Sequence, residues 1–261
     1  MKLEIRKLEG DVMEFVLSGT EPAFANALRR AMLRDVPIMA IDEVEVVAND
    51  SVMYDEVLAH TVGLIPLRTP DGYVTPDECK CKEGRCPRCS VSLNLKREGP
   101  ATVVSGDLKS SDKKVVPVSG SVPLVKLGEG QKLEFTAIAR LGLGKEHSKW
   151  QPGVVAYKYM PVFEVDLKAC DGCGACVENC PKNVLELSKD KARIIDLEKC
   201  TICKACVEAC PRDAVRVDHD DSRFIFMIES SGALPPERIL LKSIETLGKK
   251  CKEFVKQVKK L

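Results

Sequence analysis

The feature that most constrains the fold is a pair of closely similar cysteine motifs in the second half of the chain. The first reads CDGCGACVENCP from Cys170, and the second reads CTICKACVEACP from Cys200. The two starting cysteines are 30 residues apart, which indicates an internal duplication. In each motif, three cysteines at C-x2-C-x2-C spacing are followed by a fourth that precedes proline. This spacing forces the chain into tight loops around a bound metal group.

The spacing is typical of bacterial-type ferredoxins, in which three cysteines hold one iron–sulfur cube and the fourth ligates the other cube. It therefore predicts two 4Fe–4S clusters. The first would be held by Cys170, Cys173, Cys176 and Cys210, and the second by Cys180, Cys200, Cys203 and Cys206. Zinc in the same thiolates is the alternative, but structural zinc sites usually show paired CxxC knuckles.

The cysteine repeats occupy about 50 residues, which is too short a segment to bury much apolar surface. We therefore expect the clusters to supply most of the folding free energy of this module, as structural metals do in other small domains. Gly172 and Gly174 suit the tight loop of the first cluster. Loss of a cluster should unfold the module locally and leave the rest of the chain folded.

A third group of cysteines lies upstream, in the segment DECKCKEGRCPRCS. Its members are Cys79, Cys81, Cys86 and Cys89. Four thiolates this close in sequence fit tetrahedral zinc, and Gly84 and Pro87 would allow the chain to reverse between them. A third iron–sulfur site and an empty reactive loop are the alternatives. A closed four-thiolate zinc site is structural, since it leaves no open position for catalysis.

Composition limits the remaining classes of function. The 40 basic residues nearly balance 39 acidic ones, which argues against a protein that binds nucleic acid through a large net positive charge. The sequence contains no apolar run of about 18 residues, so no membrane span is predicted. The first residues lack the apolar core of a signal peptide. A cytoplasmic protein with reduced, metal-bound thiolates is therefore expected, rather than a secreted disulfide-linked one.

The N-terminal end has a regular pattern. Residues 1–17 alternate apolar and polar positions around a Gly-Asp turn, which predicts a hairpin. Thr20 and Pro22 are signals for the start of a helix, and Pro37 would end it. The apolar face of this helix comprises Phe24, Leu28, Ala31 and Met32.

Strand character returns at residues 41–47 and again at 223–230. Residues 50–165 are rich in Pro, Gly and β-branched residues, which predicts short strands and loops.

The C-terminal segment predicts a long helix after a Pro-Pro turn. Its apolar positions repeat at intervals of four and three: Leu240, Ile244, Leu247, Cys251, Phe254, Val258 and Leu261. This heptad pattern fits either a helix packed on its own domain or a helix that faces a partner chain. The pattern alone leaves both open.

No catalytic constellation is predicted. The three histidines, His60, His147 and His219, are far apart in sequence and belong to no motif. The sequence contains no Gly-rich phosphate loop, nucleophile elbow or dinucleotide fingerprint. The pattern indicates a scaffold without catalytic residues.

Several segments together resemble one known family. FANALRRAMLRDVPIMAIDEVEV (24–46), DEVLAHTVGLIPL (55–67), the cysteine loop at 79–89, SKWQPGVVAY (148–157) and ESSGALPPERILLKSIETL (229–247) occur in the order seen in the alpha-like subunits of RNA polymerase. With the double cluster motif, the chain is most similar to the archaeal branch of that family. The resemblance covers both ends and the middle of the chain.

The resemblance implies an α+β fold with a discontinuous dimerisation domain formed by residues 1–46 and 219–261. Residues 47–165 would form an inserted, mixed β-rich domain with the zinc-type loop, and residues 166–218 a ferredoxin-like domain. The expected partner is the small alpha-like subunit L, followed by subunits N and P and the large catalytic subunits. The helices at 20–36 and 235–261 would supply the interface: Phe24, Leu28, Met32, Leu240, Ile244, Leu247, Phe254 and Val258.

Under this interpretation the chain is a non-catalytic subunit of a nucleotidyltransferase complex, and it meets DNA only through the assembled complex. A dedicated electron carrier is the competing hypothesis, but it explains only the cysteine repeats. A third hypothesis joins the two: the clusters make polymerase assembly sensitive to oxygen or iron supply.

Overall fold

The computed structural model describes residues 1–81 and 85–260 and has a mixed α+β fold, as predicted. Its strands are β1 (Lys2–Glu9), β2 (Val12–Ser18), β3 (Ile38–Asn49), β4 (Ser90–Glu98), β5 (Ala101–Val104), β6 (Lys109–Ser110), β7 (Pro123–Leu127), β8 (Lys132–Gly142), β9 (Gly153–Val165), β10 (Leu185–Ser188), β11 (Lys191–Ile194) and β12 (Val215–Ser230). Its α-helices are α1 (Pro22–Arg34), α2 (Asp55–Gly63), α3 (Ala175–Glu178), α4 (Ala205–Glu208) and α5 (Pro236–Val258). Within the described residues, no helix combines the length and apolar character that a membrane span requires.

The chain divides into two compact units. Unit 1 comprises Met1–Lys7, Glu14–Asn26 and Ala156–Met227. Unit 2 comprises Leu8–Met13, Ala27–Val155 and Ile228–Leu261.

The predicted N-terminal hairpin is confirmed as β1 and β2, which belong to a four-stranded sheet with the order β1-β2-β12-β9. Gly10 has a φ of +55°, a conformation that glycine adopts at little steric cost in the turn between the two strands. In unit 1, the rings of Phe15 and Phe226 stack with their centroids 4.9 Å apart. This sheet carries the cysteine region, because β9 and β12 lie on either side of that region in sequence.

Helix α1 begins at Pro22, two residues after Thr20, which the sequence analysis took as a signal for the start of the helix. The first helical residue is Pro22, and the carbonyl of Glu21 accepts a hydrogen bond from the Ala25 amide. Glu21 therefore holds the capping position that the sequence analysis gave to Thr20. The helix ends at Arg34, before Pro37, as predicted.

The second four-stranded sheet has the order β3-β8-β4-β6 and forms the main core of unit 2. Buried residues alternate along β8, because successive side chains of a strand point to opposite faces of the sheet. The buried face of β8 comprises Leu133, Phe135, Ala137, Ala139 and Leu141. Val91, Leu93 and Leu95 of β4 join the same core cluster.

The prediction of short strands and loops for residues 50–165 is wrong in part. Helix α2 lies at Asp55–Gly63, and β8 and β9 are 11 and 13 residues long. Leu58 and Val62 of α2 are fully buried at i and i+4 spacing, which is the signal that the sequence analysis missed.

Candidate metal centres and partner surface

The two cysteine motifs fold into matching loops. In the first, Gly172 and Gly174 have φ values of +77° and +81°, and α3 follows. In the second, Ile202 and Lys204 occupy the equivalent positions with φ values of +57° and +63°, and α4 follows. The second loop therefore repeats the first although its residues are ones that seldom adopt this conformation.

The thiols of the second motif gather with Cys180 of the first. Burial, together with the nearby thiols of Cys200, Cys180 and Cys203, raises the pKa of Cys206 to about 11. These four cysteines also line one apolar cavity together with Phe163, Val184, Leu185, Ile194 and Val217. The group is the one that the crossed ferredoxin pattern predicts for the second cluster.

The thiols of the first motif gather with Cys210 in the same way. Burial raises the pKa of Cys176, and the thiols of Cys210, Cys170 and Cys173 add to the shift. Such mutual repulsion is relieved when a cationic metal group neutralises the thiolates. Both sets of four are therefore placed to hold a metal group, and each includes one cysteine from the other motif.

The four cysteines at 79–89 form a much tighter group. The Sγ–Sγ distances are 3.6 Å for Cys79 and Cys86, 3.5 Å for Cys81 and Cys89, and 3.5 Å for Cys86 and Cys89. A tetrahedral ion with metal–sulfur bonds of about 2.3 Å places its sulfurs about 3.8 Å apart, close to these values. The geometry fits a single zinc ion.

The 79–89 group is more compact than the other two groups of cysteines. Within residues 1–81 and 85–260, only the group at 79–89 brings three or more candidate ligand atoms within 4.8 Å of one another. The other eight cysteines converge less closely.

Local structure holds the 79–89 loop in place. The carbonyl of Cys86 accepts hydrogen bonds from the amides of Cys89 and Ser90, at 3.0 and 2.9 Å, where β4 begins. Arg85 forms ion pairs with Glu43 and Glu45 of β3. The Arg88 amide, followed by the thiol of Cys89, lowers the pKa of Cys86 to about 7, which favours a metal-binding thiolate near neutral pH. Gly84, predicted to allow the chain reversal, lies outside the described residues.

The predicted partner surface falls into a buried and an exposed part. Leu28, Met32 and Leu240 are buried by this chain itself, so they belong to its own core. Leu247 is half-buried. The exposed members are Phe24, Ile244, Phe254 and Val258, with 67% of Phe254 accessible. Leu261 lies outside the described residues.

The exposed apolar residues of α5 lie along one side of the helix, and three of them, Ile244, Phe254 and Val258, belong to the predicted heptad pattern. Leu241, Ile244, Phe254, Val255 and Val258 are the exposed large hydrophobic residues of this helix. From Gly248 onward every described residue of the helix is exposed. An apolar stripe of this kind on a long helix marks a surface for a partner.

Two histidines that are distant in sequence line one surface pocket. His60 and His147 lie around it with Asp42 and Lys149. Lys149 Nζ lies 2.6 Å from Asp42 Oδ1, so the carboxylate is already paired. The third, His219, contacts Asp218 and Asp221 at 3.0 Å each on an exposed part of β12. The sequence analysis did not foresee either grouping.

Comparison with known proteins identifies a family. Residues 14–251 match the model of the RNA polymerase Rpb3/Rpb11 dimerisation domain. The chain is 42% identical to the DNA-directed RNA polymerase subunit Rpo3 of Archaeoglobus fulgidus, over 100% of this chain and 98% of that protein. It is 42% identical to Rpo3 of Methanothermobacter thermautotrophicus, over 98% of each. It is 37% identical to Rpo3 of Thermococcus kodakarensis, over 100% of this chain and 99% of that protein.

Proposed function

The chain belongs to the family of RNA polymerase subunits with an Rpb3/Rpb11 dimerisation domain, and from this premise we propose that it is a non-catalytic assembly subunit of a DNA-directed RNA polymerase. Relatives named as subunit Rpo3 of that enzyme match nearly the whole chain. The observation that carries the proposal is the exposed apolar stripe of α5, a helix that begins within the matched region and extends beyond its end at residue 251. Such a stripe requires a second polypeptide to cover it.

The proposed partner is the small alpha-like subunit, subunit L, and the heterodimer would then recruit subunits N and P and the large catalytic subunits. In this proposal the dimerisation domain consists of residues 1–46 and 219–261, and residues 47–165 and 166–218 are insertions. The chain would act in the cytoplasm and reach DNA only within the assembled enzyme. Obligate interfaces of this kind bury more than about 2,000 Å².

Co-expression with the candidate subunit L tests the pairing. Ile244→Glu and Phe254→Glu place a charge on exposed positions of the apolar stripe, so we expect each to abolish co-purification. Lys249→Glu is the matched control, because helical spacing puts Lys249 on the opposite side of α5. Pairing of both stripe variants at wild-type yield, measured by size-exclusion chromatography with light scattering, would refute the interface.

We further propose that the chain holds two 4Fe–4S clusters and one structural zinc ion. Cys170, Cys173, Cys176 and Cys210 would ligate the first cluster, and Cys180, Cys200, Cys203 and Cys206 the second. Cys79, Cys81, Cys86 and Cys89 would ligate zinc, supported by their tetrahedral sulfur spacing. When bound, the clusters supply cross-links between the two motifs and a capacity for one-electron transfer. Anaerobic preparations should contain about eight irons and about one zinc per chain.

The proposed role of the clusters is to support assembly and to make it sensitive to oxygen or iron supply. Each cluster would join loops from both motifs, so its loss would loosen residues 166–218, which in this proposal present a surface to assembly partners. Chains with all eight ligands changed to serine should assemble with the other subunits at a reduced yield. Assembly at wild-type yield would rule out this role and leave the pairing proposal intact.

A further inference from the structure

The segment that leads into the second cysteine motif, residues 197–200, is attached to the four-stranded sheet of unit 1. Leu197 packs against a small buried cluster of Val16, Met160 and Ile225. Those three residues come from β2, β9 and β12, so one leucine contacts three neighbouring strands of the sheet.

Polar contacts reinforce this attachment. Arg6 of β1 donates a hydrogen bond of 2.9 Å from Nε to Glu198 Oε1, and its terminal nitrogen Nη2 forms an ion pair with the same oxygen at 2.9 Å. Both side chains are more than a third exposed, so this ion pair adds little on its own. The ion pair matters because it connects a fourth strand, β1, to Glu198, the residue next to Leu197.

Lys158 provides the most direct link between the sheet and the metal loop. This half-buried residue of β9 donates from Nζ to the backbone carbonyl oxygens of Glu198 at 2.5 Å and Cys200 at 3.2 Å. Cys200 is the first ligand of the proposed second cluster. A protonated amine that bridges two carbonyl oxygens fixes the backbone next to that ligand, and hydrogen bonds from charged donors are among the stronger ones in proteins.

The first motif also has a lysine that donates to the carbonyl oxygen of its first cysteine, but this lysine does not belong to the four-stranded sheet. The carbonyl oxygen of Cys170 accepts a hydrogen bond from Nζ of Lys191. Lys191 belongs to β11, which pairs with β10 inside the cysteine region. Arg212, which contacts Asp171 of the first motif at 3.3 Å, also lies in that region. These side-chain contacts of the first loop thus stay within the module, and its backbone is joined through Asp166 to the adjoining ends of β9 and β12. The contacts of the second loop also reach β1 and β2.

We propose that Lys158 is a positioning residue for the second cluster and that, through residues 197–200, binding of the second cluster stabilises the sheet of unit 1 more than binding of the first does. This inference rests on the proposed metal centres. Ordering of the second loop by its cluster fixes the groups that Arg6, Lys158 and Val16 contact. Any group that binds the ordered state alone shifts the equilibrium toward that state, so the sheet gains stability from the second cluster.

Two variants, each of which keeps a single cluster, distinguish the effect of the second cluster on the sheet from that of the first. The first variant lacks the second cluster because Cys200, Cys203 and Cys206 are changed to serine. The second variant lacks the first cluster because Cys170, Cys173 and Cys176 are changed to serine. Amide hydrogen exchange of β2 and β12 peptides, measured under anaerobic conditions, should be about tenfold faster in the first than in the second. Equal exchange rates in two chains that each retain about four irons would overturn the inference without affecting the metal centres. Absence of iron from the wild-type chain would overturn the inference and the metal centres together.

The role of Lys158 has its own test in the full chain. Lys158→Met removes the charge and the donors, so iron of the second cluster should be lost to a chelator about tenfold faster, and Lys158→Arg should restore part of the retention. Lys191→Met is the matched control, since it should affect only the first cluster. The electron paramagnetic resonance signal of each single-cluster chain identifies which cluster is lost. Unchanged iron release in Lys158→Met would refute the positioning role.

Discussion

At the scale of single residues, the second cysteine loop differs from the first in backbone strain. Lys204 adopts a φ of +63° at the position where the first motif has Gly174. Left-handed conformations cost a non-glycine residue about 1 kcal/mol relative to glycine. Lys204 is exposed, so replacing it should remove little packing.

We therefore expect Lys204→Gly to stabilise the cluster-loaded chain by about 1 kcal/mol. Anaerobic denaturant unfolding, followed by the visible absorbance of the clusters, measures the change. Ala205→Gly is the matched control, because Ala205 is the first residue of α4 and glycine there should destabilise by up to about 1 kcal/mol. A Lys204→Gly chain less stable than wild type would show that the lysine makes contacts that outweigh the strain.

Substitution of two glycines that have different surroundings should change stability in opposite directions. A methyl group on Gly142 would lie 2.2 Å from Trp150 Cε2, whereas one on Gly248 of α5 would meet nothing within 4 Å. Gly142→Ala should cost about 2 kcal/mol or more, since the indole must move within a packed core. Gly248→Ala should stabilise α5 by about 0.5–1 kcal/mol. Chemical denaturation of the free chain measures the effect of Gly142→Ala, and hydrogen exchange of α5 measures the effect of Gly248→Ala. Similar effects at both sites would contradict the close packing of Trp150 against Gly142.

The grouping of the cysteines in the two motifs was predictable from sequence, but side-chain exposure was not. Cysteine spacing alone grouped Cys180 with the second motif and Cys210 with the first, because four-iron clusters impose a fixed pattern on the chain. In contrast, Leu28 and Met32 were assigned to the partner surface although this chain buries them. The spacing of apolar residues shows which face of a helix avoids water and cannot show which neighbour covers it.

At the scale of elements, the 79–89 loop is a short segment that the proposed zinc ion would organise. Its sulfurs already lie at tetrahedral spacing, and β4 begins directly after Cys89. Strand β4 pairs along its length with β8, so its own hydrogen bonds do not depend on the loop.

Removal of zinc should therefore loosen residues 79–89 and leave β4 protected. After chelation, the four thiols should react with a thiol reagent, while hydrogen exchange of β4 should remain slow. Re-addition of cobalt(II) should produce the strong visible absorption of a tetrahedral thiolate site. Cys251→Ser is the matched control, because Cys251 is an exposed cysteine on α5 outside this group; loss of the cobalt spectrum in that variant would contradict the assigned ligands.

Elements with long periodic patterns were predicted well, and short ones were not. Helix α5 was expected from a heptad pattern of more than 20 residues, and it is found at Pro236–Val258. Helix α2 has only nine residues, and its two buried positions lie in a region rich in strand-forming residues. A pattern of two turns gives too little periodicity to outweigh that composition.

At the scale of the whole molecule, the chain contains two kinds of core. The core of the sheet β3-β8-β4-β6 consists of aliphatic and aromatic side chains such as Leu93, Leu133 and Phe135, all nearly inaccessible to solvent. The core around the cysteine motifs is small, and several of its members are the proposed cluster ligands themselves. Apolar burial therefore stabilises the first core, and we expect metal–thiolate bonds to stabilise the second.

This difference predicts how the molecule responds to loss of its iron. A chain with serine at all eight proposed cluster ligands should lose protection against hydrogen exchange throughout residues 166–218. Amides of β3, β4 and β8 should retain protection within about twofold of wild type, because no buried side chain in their core is a proposed iron ligand. Brief exposure of the wild-type chain to air, followed by iron chelation, should reproduce this pattern and control for the serine substitutions. Loss of protection in both regions at once would mean that the clusters stabilise the entire chain, since unfolding of the cysteine region would then be inseparable from unfolding of the aliphatic core.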